Sequence, residues 1–285
     1  MDLKQQDRIN QAWYTHPGAV AGMVQRQGFI DEGERAAFWR LADEMRGQPI
    51  LDIGIGPGRT VTLLRALSAD YVGIDYLPAM VELAGQRHPQ AEIRVGDARD
   101  LGAFADGQFA LITFSDHGID SVGHADRARV LAEACRVLRP GGVFWFSTLN
   151  LDGPAARYSP WRPMLPRAPA RRWHPLGWLR FAIEWLGAWA HVPFSVSRYR
   201  RSLAMAERGE GWAIAPFFPG DWRLVTHYTT LAHLRQALTQ AGFDQPVELY
   251  EDAAGARVEA ATDLRAVFGF NVLARKPGAV PTAPA

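Results

Sequence analysis

The sequence predicts an α/β protein built on a doubly wound parallel sheet with helices on both faces. Three observations carry this. Short β-type apolar runs alternate with helical segments between Pro49 and Phe146. One run, Phe109-Ala-Leu-Ile-Thr-Phe114, is apolar on both faces, as a buried parallel strand requires. The first run, Ile50-Leu-Asp-Ile53, passes directly into glycines at every second position, Gly54, Gly56 and Gly58. Glycine accepts positive φ and lets a ligand lie against the backbone. Strand, glycine turn and helix together have the build of a nucleotide-type pocket.

The elements follow in order. Residues 1–46 read as N-terminal helices that cover the sheet: Phe38, Leu41, Ala42 and Met45 recur at helical spacing. Trp13-Tyr-Thr-His-Pro-Gly18 breaks the first helices. Strands are predicted at Pro49–Ile53, Tyr71–Ile74, Ala91–Val95, Phe109–Phe114 and Val143–Phe146. Helices are predicted at Arg59–Leu67, Pro78–Arg87 and Arg127–Leu138, the last closed by Arg139-Pro-Gly-Gly142. The alternation stops near Leu151 and resumes with a helix at Leu231–Ala241, ended by Gly242, and strands at Val247–Tyr250 and Phe270–Ala274. The sheet domain is therefore 47–151 plus 227–276, interrupted by an insert at 152–226. The tail 277–285 is low in complexity and reads as loose.

Composition narrows the function classes. A net charge of +1 over 285 residues gives no global field for nucleic acid. Lysine occurs only at positions 4 and 276, so arginine carries the positive charge, an asymmetry that composition bias accounts for. The single cysteine, Cys135, excludes an internal disulfide and reads as part of a helix's buried face. The N-terminus lacks the apolar region of a signal peptide, and no apolar run approaches the roughly 20 residues of a membrane span. The cytoplasm, without stable membrane insertion, is the expected location.

The register of the glycines selects among nucleotide pockets. A dinucleotide fingerprint needs a third glycine at the sixth position from Gly54, and that position is Arg59. A P-loop needs Gly-Lys-Ser/Thr, and no lysine is present. What stands is an acid followed by alternating glycines, Asp52-x-Gly54-x-Gly56-x-Gly58. The next strand ends in Gly73-Ile-Asp75-Tyr76, where Asp75 reads either as an acceptor for a ribose diol or as a helix N-cap. The third strand ends in Gly96-Asp97-Ala98, where Asp97 reads either as an acceptor for an adenine amino group or as a turn residue. Ala98 offers an amide to a ring nitrogen. Tyr76, Leu77 and Met80 would wall an adenine, and read equally well as core.

This ordered set resembles the class I S-adenosylmethionine-dependent methyltransferases, small-molecule type. Asp52, Gly54, Gly56 and Gly58 match the family's motif I. Asp75 and Asp97 match its acids after the second and third strands. Arg136-Val-Leu-Arg-Pro-Gly-Gly-Val143 and Ala241-Gly-Phe243 match the approaches to later strands. The likeness spans roughly 48–151 and 227–276, and Ala110 departs from the acid that many relatives have there. The resemblance implies a Rossmann-like sheet of seven strands, mostly parallel with the last antiparallel, and S-adenosylmethionine as cofactor. It implies that the glycine-loop backbone holds the methionine portion, and that Tyr14 or Trp13 closes over it.

Methyl transfer needs alignment more than a universal catalytic residue. The loop Ser115-Asp-His-Gly-Ile-Asp120 faces the methyl group in this fold. Ser115 is assigned to cofactor, His117 and Asp116 to catalysis, and Asp120 to substrate, each with a loop-cap reading alongside. Nucleic-acid amino methyltransferases carry Asn/Asp-Pro-Pro-aromatic at this place; Ser-Asp-His-Gly does not match it. His227 and Tyr228 reach the pocket from the insert side, or Tyr228 is structural in a packed hairpin. The insert holds nine arginines and one acid between Gly153 and Ala206, and a tryptophan-rich helical run, Trp178–Ala190. It reads as a lid over an aromatic or acidic substrate, as a membrane-interface segment, or as extra core and homodimer surface. The expected activity is transfer of a methyl group to an oxygen or nitrogen of a small metabolite, in secondary metabolism, with no metal. A catalytically silent cofactor-binding module and an NAD-dependent oxidoreductase are the competing readings; the second lacks a Tyr-x-x-x-Lys pair.

Overall fold

Period-two alternation along the strands divides the apolar residues between two faces of one sheet. In β1 (Ile50–Ile53), Ile50 packs on one face while Leu51 and Ile53 pack on the other. In β4 (Phe109–Phe114), Leu111 joins Ile50, while Ile112 and Phe114 join Leu51. One face is covered by α3 (Glu32–Met45) and α4 (Val61–Leu67) through Phe38, Leu41, Met45 and Leu64. The other is covered by α6 (His124–Val137) and α9 (Leu231–Gln240) through Val130, Leu131, Leu234 and Leu238. The doubly wound architecture is that predicted from sequence. The structure, a computed structural model, describes residues 3–29, 31–163, 165 and 175–278.

The remaining elements, in chain order, are α1 (Leu3–Tyr14), α2 (Pro17–Gln25), β2 (Tyr71–Asp75), α5 (Pro78–Arg87), β3 (Glu92–Val95), β5 (Leu138–Asn150), α7 (Pro175–Ala190), α8 (Val192–Leu203), β6 (Glu207–Gly209), β7 (Trp212–Phe217), β8 (Leu224–Thr229), β9 (Glu248–Glu251) and β10 (Gly269–Arg275). Seven strands run in the order β3-β2-β1-β4-β5-β10-β9. β1 to β5 are mutually parallel and β10 is antiparallel to both its neighbours. The His16 imidazole accepts from Gly18 N–H at 3.2 Å and Pro17 follows as the first helical residue, which starts α2.

β5 is longer than the predicted Val143–Phe146. β4 pairs with it only as far as Phe146, and β10 holds its other edge. Beyond β4 the vacated edge is taken by β8, with Leu149 opposite Tyr228 and Asn150 opposite Thr229. β8 leads an antiparallel meander through β7 to β6. These three strands were not read from the sequence. They stand above the loop that follows β4, and the Thr226 hydroxyl donates to the carbonyl of Asp120 at 3.1 Å in that loop. Cys135 packs against the core on α6, as expected. The tail beyond 278 lies outside the described residues.

Candidate active site

The C-terminal ends of β1, β2, β3 and β4 meet at one cleft. Its lining includes Gly54, Gly56, Asp75, Tyr76, Met80, Asp97, Ala98, Ser115 and Asp116, together with Tyr14 from α1. Ten sequence-predicted positions thus come together from five separated stretches of chain. Gly54, Gly56 and Gly58 all have positive φ, at 65°, 51° and 86°. At Gly54 a Cβ would lie 2.6 Å from the Phe114 ring, so packing excludes a side chain as well. At Gly56 a Cβ would meet nothing within 4 Å, so the backbone there faces open cleft.

Asp75 shapes this floor. Its Oδ2 accepts from Gly56 N–H at 2.9 Å and its Oδ1 from Leu77 N–H at 2.9 Å. Each carboxylate oxygen keeps a second lone-pair site. Burial raises the Asp75 pKa, opposed by these two backbone bonds. Asp97 is held by the Arg99 guanidinium, with Nη2 donating to Oδ2 at 2.7 Å. Burial would raise the Asp97 pKa, but Arg99 outweighs it and lowers the pKa. Arg99 also pairs with Asp7 of α1 at 2.7 Å, tying the first helix to the adenine end of the cleft. Tyr14 hydroxyl lies 2.7 Å from Ser121 Oγ, and burial pushes its pKa up to about 12.

Asp52 and Gly58 are beside the cleft rather than on its surface. Asp52 is fully buried and accepts from Thr60 at 2.8 Å, Tyr71 at 2.9 Å and Thr113 at 2.6 Å. It fastens the glycine turn, β2 and β4 from beneath. Gly58 turns with its α-carbon close to the His88 ring, which a Cβ would meet at 2.5 Å.

Four assigned residues are placed away from the cleft. Asp116 and His117 are both left-handed, with φ of 52° and 56°. This costs on the order of 1 kcal/mol or more per residue, and His117 N–H, donating to Ser147 Oγ at 2.7 Å, helps to hold the turn. The reversal leaves Asp116 at the cleft and sends the His117 imidazole beneath it. Its Nε2 is 3.5 Å from Asp252 and its Nδ1 3.8 Å from Asp120. Burial would depress the His117 pKa, but Asp252, Asp120 and Asp116 raise it. Asp120 is fully buried and accepts from Arg127 at 2.7 Å, Thr148 at 2.7 Å and Leu149 N–H at 2.7 Å, so the scaffold takes most of its acceptor sites. His227 points into the meander, 3.1 Å from His124 Nδ1 and stacked parallel with Trp212; burial lowers its pKa. Tyr228 is buried beside Leu149 and Ala155, in the hairpin that the structural reading anticipated.

The sequence reading passed over Arg59, Glu34 and Arg26. Arg59 donates to both oxygens of Glu34, at 2.7 and 2.8 Å, and to Ser115 Oγ at 2.9 Å. Both side chains of this pair are buried. Glu34 also accepts from Asp116 N–H at 3.2 Å, so one ion pair joins α3, the glycine turn and the loop after β4. Its only trace in the sequence is an arginine where a dinucleotide loop has glycine. Arg26 lies 3.7 Å from Asp116 at the rim and is largely solvent-exposed.

Residues 50–142 match the family model described as a methyltransferase domain. Residues 50–142 are therefore a methyltransferase domain of the S-adenosylmethionine-dependent class I type. A probable S-adenosylmethionine-dependent methyltransferase of Mycolicibacterium smegmatis is 32% identical over 132 residues, covering 46% of this chain and 49% of that protein. A ubiquinone biosynthesis O-methyltransferase of Xanthomonas oryzae is 30% identical over 112 residues, covering 38% of this chain and 45% of the relative. The chain thus spans about half the length of these relatives. A solved S-adenosylmethionine-dependent methyltransferase from Mesorhizobium loti shares the fold, with a TM-score of 0.53 at 19% identity over 86% of this chain and 98% of that one. The cofactor of this methyltransferase domain is S-adenosylmethionine. The cleft fits it: open backbone at Gly56, a carboxylate with spare acceptor sites at Asp75, and an apolar wall of Leu77, Met80 and Ala98.

Proposed function

We propose that this protein transfers a methyl group from S-adenosylmethionine to an oxygen or nitrogen of a small metabolite. The observation that carries the proposal is the convergence of the Gly54–Gly58 turn, Asp75, Asp97 and the Ser115–Asp116 loop on one cleft at the strand ends. When bound, the cofactor supplies a methyl already activated on a sulfonium. The chain supplies position. Asp75 holds the ribose diol with its free lone pairs, and Asp97 faces the adenine amino group while Arg99 fixes its plane. The Gly54–Gly58 backbone lies under the methionine portion, with Arg26 at the rim for its carboxylate. Tyr14 and α1 close the cleft from above and exclude water.

Asp116 is the carboxylate nearest the acceptor, where it orients a polar substrate or takes up its proton. His117 acts on Asp116 and Asp120 through their placement, from below. The relatives whose names specify O-methylation favour oxygen as the acceptor atom. The N-terminal helices 1–46 and the insert 152–226 form the cover that selects the acceptor. A thermal-shift titration tests the cofactor: S-adenosylhomocysteine should raise the melting temperature and NADH should not. An untargeted screen with methyl-labelled cofactor tests the reaction. Stabilisation without transfer to any metabolite would reduce the protein to a cofactor-binding module.

A further inference from the structure

Among the described residues, α7 has few neighbours to pack against. Leu176, Leu179, Ile183 and Leu186 lie along one row and are 71%, 58%, 62% and 62% exposed. Trp178, Trp185 and Trp189 form the adjacent row and are also exposed. Among the described residues of α7, Gly177, Phe181 and Ala188 are partly covered, on the side opposite the leucine row. The helix's charged residues, Arg180 and Glu184, neutralise each other at 2.7 Å. More than half of the circumference is therefore apolar and faces solvent. Exposed Phe194, just after the turn into α8, extends the surface. A contiguous patch of this kind marks an interaction surface.

Charge identifies the occupant. Between Gly153 and Ala206 the sequence has nine arginines, and its one acid is Glu184, already paired. On α8, Arg198 pairs with Asp221, Arg200 lies over the Trp161 ring, and Arg201 stands exposed beside them. A second copy docking on this face by two-fold symmetry would bring Arg200 and Arg201 of the two copies toward each other. An anionic lipid surface supplies the missing charge. Tryptophan favours the boundary between headgroups and acyl chains, and arginine reaches headgroups while its stem lies on apolar surface. Among the described residues no helix is long and apolar enough to cross a membrane, so α7 would lie in the interface plane.

We propose that α7, with the arginines of α8, docks this protein on anionic membrane surfaces. The proposal rests on the insert and is independent of the methyl acceptor. The full chain should co-sediment with vesicles of phosphatidylcholine containing phosphatidylglycerol, at least about tenfold more strongly than with phosphatidylcholine alone. High salt should weaken binding, and tryptophan emission should shift to the blue on mixing with the anionic vesicles. The triple variant Leu179→Gln, Ile183→Gln, Leu186→Gln should lose the binding while S-adenosylhomocysteine still raises its melting temperature. Equal binding to neutral vesicles would overturn the proposal, as would no binding to anionic ones. So would a dimer in solution that the triple variant dissolves without any vesicle binding. Should the variant fail to fold, the salt dependence and emission shift of the unaltered chain decide.

Discussion

Asp75 carries two backbone bonds with two different oxygens, so its removal acts on affinity and on loop shape together. Asp75→Ala should weaken S-adenosylhomocysteine binding by about tenfold or more, the scale of a lost charged hydrogen bond. Calorimetric titration measures it, and unchanged affinity would remove the ribose assignment. The acids beneath the loop predict a pH dependence. Burial pushes the Asp252 pKa up to about 7 and that of Asp31 to about 6. The carboxylates around His117 raise its pKa too. In each case the folded state keeps a proton that the unfolded chain releases at lower pH. The contribution of these groups to stability is therefore present in acid and lost as pH rises through about 7, opposite in sign to that of His227, which is buried neutral. Urea unfolding midpoints test it by difference: Asp252→Asn should gain on the unaltered chain as pH rises from about 4 to 7, and a difference that stays constant with pH would refute it. Residue by residue, the cofactor half of the cleft was legible because each acid follows its strand directly. His117 was not, because two left-handed residues decide where its ring goes, and neither is glycine.

Among elements, the Arg59–Glu34 pair is the joint between α3 and the glycine turn. Arg59→Met leaves Glu34 buried without its partner and should cost about 3–5 kcal/mol of unfolding free energy. The double variant Arg59→Met, Glu34→Leu should recover much of that loss. Urea titrations decide, and a loss below about 1 kcal/mol for the single variant would place the pair outside the fold's energetics. The strands β1 to β5 and β10 were legible because alternating apolar residues sit between glycine and proline stops. The β6–β8 meander was hidden for physical reasons. β6 has three residues, Pro216 and Pro219 interrupt the β pattern, and its pairing depends on an edge that exists only beyond Phe146. Sequence periodicity carries no record of an edge vacated by another strand.

At the scale of the molecule, the cleft has a floor from the strand ends and a cover that includes Tyr14, Met23 and Arg26 of the N-terminal segment. The meander is joined to β5 by backbone pairing. Among the described residues, α1 is joined to the rest of the molecule through its side chains: Asn10 and Gln6 to the carbonyl of Val225, Tyr14 to Ser121, and Asp7 to Arg99. Asn10 also accepts from Val225 N–H, at 3.3 Å. Asn10→Ala should leave the melting temperature within a few degrees and speed release of S-adenosylhomocysteine, as read by stopped-flow fluorescence. An unchanged release rate would show that α1 does not control it. The edge of β5 beyond Phe146 thus has a mechanical consequence. A roof sewn to its wall by backbone cannot lift without tearing the sheet, whereas a shutter fastened by side chains can swing. Faster release from Asn10→Ala would put the doorway for fresh and spent cofactor at that shutter.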